Sequence, residues 1–169
     1  MTLRSTCQGQ RPSSIDRRTP TSEELKSMSV HLMYEYAMLD GLARKLAKGE
    51  DEELVNNALL EAFLIHTRVL LEFFFPAHVR EGDVVASDYL GSEKAWETIR
   101  GDLPGELVEI RKRVGKEVAH LTLQRLRIPP DEKRWNFLAI AAAIGGILEK
   151  FASAVDPGLI SDEALNPGA

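Results

Sequence analysis

The sequence predicts an all-α protein, an antiparallel four-helix bundle with an additional short helix in the long connection between helices two and three. Three observations carry this reading. Four long segments place apolar residues three and four positions apart, the spacing of one helix face. Most of these segments start or stop on residues that favour helix ends. No segment sustains strand alternation, and the one candidate, Val84-Val85-Ala86, is short.

The first helix opens at Thr21 with Glu24 three positions on, a capping-box pattern, and its stripe runs Met28, Leu32, Leu39, Leu42, Leu46. Gly49 ends it, and Glu50-Asp51 start the next. The second helix is expected over 51–75, with Leu54, Ala58, Leu60, Phe63, Leu64, Thr67, Leu71 and Phe74. Residues 69–75 are apolar nearly all round except Glu72, which predicts a central helix, and Pro76 stops it. Residues 76–102 form a long connection holding a short helix over about 92–100 with Trp96; such connections often serve as lids or docking elements. The third helix starts near Asp102 with Pro104 in its first turn, shows Leu107, Ile110, Val114, Val118 and Leu121, and ends at Pro129-Pro130. The fourth is expected over 131–154, capped by Asp131, with Trp135, Leu138, Ile144, Leu148 and Phe151. Its Ala141, Ala142, Gly145 and Gly146 would let a neighbouring helix approach closely, offsetting a glycine cost of about 1 kcal/mol each.

A length of 169 residues suits one domain with a real core. Residues 1–20 are polar, Ser/Arg/Pro-rich and aperiodic, and are expected to be disordered or loosely attached. The domain proper is expected at 21–155, with a flexible tail over 156–169. The single cysteine, Cys7, excludes an internal disulfide framework and a multi-cysteine metal site. The opening residues lack the apolar core of a signal peptide, and the longest nearly apolar run, 137–148, is short for a bilayer. These features predict a cytoplasmic protein with no membrane segment.

Charge is unevenly distributed. Residues 110–127 carry six cations, Arg111, Lys112, Arg113, Lys116, Arg125 and Arg127, against Glu117 alone. The whole chain stands at −5, so the remainder carries −10. That balance argues against generic nucleic-acid coating while leaving room for a local basic site.

Several polar residues fall on apolar patterns. Glu35 lies on the stripe of the first helix, and Arg68 sits in the most apolar part of the second, two positions after His66. On the third helix Arg113, Glu117 and His120 fall at i, i+4 and i+7, one face of a continuous helix. One reading is structural: Glu35 pairs with Arg68, and His66 or His120 bonds a carbonyl or the Trp135 region. The other reading is functional. Glu117-x-x-His120 has the spacing of a di-iron ligand pair, yet no second such pair exists. A mononuclear site from His31, His66 and His120 is geometrically possible, but no spacing demands it, and neither metal nor cofactor is predicted. Gly-x-Ser-x-Gly and phosphate-cradling loops are absent, as is any DNA-binding motif. Metal-free RNA cleavage needs a histidine to move the 2′-hydroxyl proton and an arginine to hold the developing phosphorane charge. Arg113 and His120, two turns apart in a basic segment, meet that requirement.

Arg113, six intervening residues and His120 on a late helix resemble the Arg-x(4–6)-His motif of the HEPN superfamily (higher eukaryotes and prokaryotes nucleotide-binding). The run from Lys116 through Ala119-His120-Leu121-Thr122 to Arg125, after the upstream Glu61–Phe74 helix, looks like an uncharacterised bacterial branch of it. The resemblance spans about 22–155. It implies a helical bundle, frequent homodimerisation, RNA or nucleotide binding and, in active members, metal-independent RNase activity. It would make His120 the acid/base and Arg113 the phosphate-stabilising group, with Glu117 or Arg68 orienting them. Lys116, Arg125, His66 and Glu35 would join Arg68 in binding. The pattern departs at Val114, where active members carry a polar residue. The alternative, from a different class, is a non-enzymatic dimeric helical interaction protein whose polar network is structural.

Overall fold

The computed structural model describes residues 17–49, 51–114, 123, 126 and 135–165. It is all-α: the described residues form α1 (Ser22–Lys48), α2 (Glu53–Phe74), α3 (Ala86–Leu90), α4 (Glu93–Arg100), α5 (Gly105–Arg113), α6 (Phe137–Ala154), a 3₁₀ turn (Pro157–Leu159) and α7 (Asp162–Leu165). The expected antiparallel arrangement of four long helices depends on a third helix that is described here only as α5.

α1 begins as its sequence dictates. The Thr21 hydroxyl accepts from the Glu24 N–H at 3.2 Å, and the Thr21 N–H donates to the Glu24 carboxylate at 2.8 Å. Arg18 adds two hydrogen bonds to that carboxylate, 2.8 and 2.7 Å. Gly49, at φ 63°, closes the helix with the left-handed turn that glycine adopts without strain. Leu25, Leu32, Leu39, Leu42 and Leu46 are buried, whereas Met28, placed on the same stripe by its spacing, is 38% exposed.

α2 packs on α1 and, less extensively, on α6; α1 and α6 also pack together. Its buried face is Phe63, Leu64, Thr67, Leu70, Leu71 and Phe74. The expectation of a central helix holds for only one side of it. Leu54 is 81% exposed, Ile65 59% and Val69 43%. The apolar run is real, but the chain packs its neighbours against one face.

The 76–102 connection holds α4, as expected over 92–100, and also α3, which the sequence reading missed. Val84-Val85-Ala86 is not a strand. Val85 precedes α3, its N–H donates to Asp88 at 2.9 Å, and Arg17 grips the Asp88 carboxylate at 2.9 and 2.6 Å. Tyr89 donates its hydroxyl proton to the Leu25 carbonyl at 2.8 Å, seating α3 on α1. Trp96 of α4 donates from Nε1 to the Phe74 carbonyl at 2.8 Å. Phe73, Phe74, Tyr89, Trp96 and Phe151 make a connected set of ring contacts, with centroids 5.0–6.0 Å apart.

α6 starts at Phe137, capped by Asn136 through its side-chain oxygen on the Ala139 N–H. The predicted cap, Asp131, lies outside the described residues. Only half of the small-residue set serves close packing: Ala141 and Gly145 are buried, while Ala142 and Gly146 face solvent. The segment beyond Asp156 was expected to be a tail. As far as Leu165 it instead follows α1, where the Ser161 N–H donates to the buried Ser29 hydroxyl at 2.9 Å and Ala164 is buried.

Two outcomes are expected. Gly146→Ala adds a methyl in open space and should raise stability in denaturant titration by about 1 kcal/mol. Gly145→Ala should forfeit that gain, because its methyl would stand 2.7 Å from the Tyr36 hydroxyl; adding Tyr36→Phe should recover part of it. Separately, the Arg18 guanidinium, then the Thr21 cap, holds the Glu24 carboxyl down at about 2 from its ordinary 4.5. A carboxyl depressed by folding contributes stability in full above 4.5, and that contribution fades as pH falls towards 2. Glu24→Gln should flatten the stability–pH curve across that window, measured by thermal unfolding.

Candidate interaction groove

Because α2 buries only one side, a groove of about 870 Å³ opens between α1, α2 and the segment after Pro76. Leu32, Leu64, Ile65, Val69, Phe73 and Val84 give it apolar walls, and Val114 at the end of α5 closes one side. Such a cleft, mostly apolar with a few polar groups, is the usual form of a binding site.

Its polar members include Glu35, Glu61, Arg68, Glu72, Arg80 and Asp83. Three of the four carboxylates are engaged. Glu35 bonds His66 Nδ1 at 2.6 Å, Glu72 stands 3.5 Å from Arg111, and Asp83 accepts the Arg80 N–H at 2.7 Å. Glu61 and Arg68 make no ion pair among the described residues; they sit two turns apart on the exposed side of α2. Four carboxylates against two cations do not make an electropositive channel for a polyanion.

Among the predicted site residues, Glu35 and His66 are brought together, and Glu35 and Arg68 share the groove. The Glu35–Arg68 pair expected from sequence does not form. Glu35 binds His66 instead, because the α1–α2 packing brings the imidazole to the carboxylate while Arg68 points to the solvent side. The pair is largely shielded, with side-chain exposures of 12% for His66 and 22% for Glu35, and Tyr34 meets the imidazole edge-on at 6.0 Å. His66 is not on the groove wall. The dyad therefore offers the groove a fixed carboxylate acceptor and no nucleophile.

Arg113 lies elsewhere. Its guanidinium covers the Trp135 ring 3.8 Å from the centroid, a cation–π contact joining the end of α5 to the residue before the α6 cap. The other predicted site residues, Lys116, Glu117, His120 and Arg125, lie outside the described residues. Sequence reasoning missed Arg111, which caps the end of α2 by donating to the Phe75 carbonyl as well as pairing with Glu72. Its position in a cationic run gave no signal of that contact. Among the described residues no group of three His, Cys, Asp or Glu side chains could hold a metal ion.

Removing a partner from the shielded dyad should be costly and removing Arg68 should not. Glu35→Ala strands the His66 donor and should cost about 1–3 kcal/mol in chemical denaturation. Arg68→Ala should change stability by less than about 0.5 kcal/mol.

Comparison of this chain with protein-family models, with curated proteins and with solved structures finds no match.

Proposed function

We propose that this protein is a helical interaction protein that receives an amphipathic helix in the groove beside α2. One observation carries the reading: the groove side of a 22-residue helix stays exposed at Ile65 and Val69 although the other side of the same turns buries Phe63, Leu64, Thr67 and Leu70. Helix-in-groove recognition uses such apolar positions as anchors. The polar residues nearby fit this role. The Glu35–His66 bond ties α1 to α2, and the margin carries both signs of charge, with Glu61 and Arg68 two turns apart on α2. The proposal takes the chain to be cytoplasmic.

A second reading keeps the resemblance to HEPN proteins: binding of RNA or a nucleotide, with cleavage by His120 as acid/base and Arg113 on the phosphate. What favours it is the end of α5, where Arg111, Lys112 and Arg113 fill the last turn and the Arg113 guanidinium sits over the Trp135 ring. Guanidinium–aromatic surfaces are where bases stack in single-strand binders.

A photo-cross-linking residue substituted for Ile65 separates the two in cells. A protein adduct is the expected result, and an intact fold with no adduct would defeat the interaction reading. An RNA adduct would favour the second, which further requires that wild type cleave total RNA in EDTA while His120→Ala does not.

A further inference from the structure

The exposed side of α2 is ordered as a seam. Leu54, Ala58, Glu61, Ile65, Arg68 and Glu72 follow one another at spacings of four, three, four, three and four, the repeat by which one helix packs along another. All are exposed except Glu72, which is partly covered. Leu54, at 81%, and Ile65, at 59%, are among the most exposed large apolar residues of the described chain.

Glu61 and Arg68, the two seam charges that make no ion pair among the described residues, lie on either side of the 64–65 peptide at equal distances in sequence. We infer that the partner seated on this face is a second copy of the chain, its α2 running antiparallel about a two-fold axis near Ile65. That inference rests on the interaction reading and names its partner. The two-fold brings Arg68 to Glu61 of the partner subunit, and the reverse pair forms by the same operation. A parallel pairing would set like charges against each other. A lipid surface fits worse: α2 is long and apolar enough by composition to cross a membrane, but its apolar seam has three charged residues in line. At 22 residues α2 is about 33 Å long. A seam of that length, with the groove walls, buries roughly 1,000–1,200 Å² in total, at the lower edge of stable interfaces, so assembly should depend on concentration.

The test is the mass in solution, by sedimentation over a wide concentration range, of wild type, Glu61→Arg, Arg68→Glu and a mixture of the two variants. Both positions are exposed, so unchanged circular dichroism, with an unchanged melting temperature at a concentration where wild type is one chain, checks the fold. Wild type should move from one chain mass to two as concentration rises. Each variant alone should remain monomeric, since both of its reciprocal contacts become repulsive. The mixture should form a heterodimer, since both contacts become attractive again. A wild type that stays monomeric would overturn the inference, as would a dimer indifferent to both substitutions; a face occupied by another part of the same chain would give the first of these. A monomeric wild type that still cross-links from position 65 to a different protein would overturn only the self-pairing. A monomer with no adduct would overturn the interaction reading as well.

Discussion

The C-terminal end of α2 is the point on which the rest of the structure depends. A helix end leaves carbonyls without intrahelical donors, and burying them unpaired costs on the order of 1–3 kcal/mol each. Here the indole of Trp96 donates to the Phe74 carbonyl and the guanidinium of Arg111 to that of Phe75. Arg100 lies over the Phe75 ring at 4.2 Å from its centroid. Two later segments, α4 and α5, are thereby tied to one helix end. Phe73 and Phe74 are central to the aromatic cluster that joins α3, α4 and α6. Proline at 76 ends α2 at that place, so the chain must turn where the donors converge.

This anchoring has a consequence on the opposite side of α2. With α1 and α6 packed on the helix and the aromatic cluster at its end, the side carrying Glu61, Ile65 and Arg68 receives no described element. Full burial of an aliphatic side chain is worth about 1.5–3 kcal/mol, so leaving Ile65 and Val69 near half exposure forgoes about 1 kcal/mol each. That loss is comparable to the gain from a single shielded hydrogen bond such as Glu35–His66. The groove is therefore a modest local deficit that a partner can recover, and the dyad at its margin keeps α1 in register beside it.

Much of the helical pattern was legible in the sequence. The Thr21–Glu24 capping box, Gly49, Pro76 and the Ser92–Arg100 segment act through neighbours a few positions away, and those positions can be read directly. α3 was not legible. Its five residues are held by Arg17 across 71 positions and by Tyr89 on Leu25 across 64, contacts that leave no local period. The candidate site was legible in part. Spacing identified Glu35, His66 and Arg68 as out of place on apolar faces, but not which would meet.

Local chemistry therefore determined, from the sequence alone, the all-α class and the ends of α1 and α2, because caps, breakers and helical period operate within one or two turns. Only the tertiary structure decided that Glu35 takes His66 rather than Arg68, that Arg113 lies on Trp135, that Gly145 and not Gly146 faces α1, and that α2 leaves an apolar side open. Each of these depends on the rotation of one helix against another. A rotation of a few tens of degrees changes which side chains face each other while leaving the period of every helix the same.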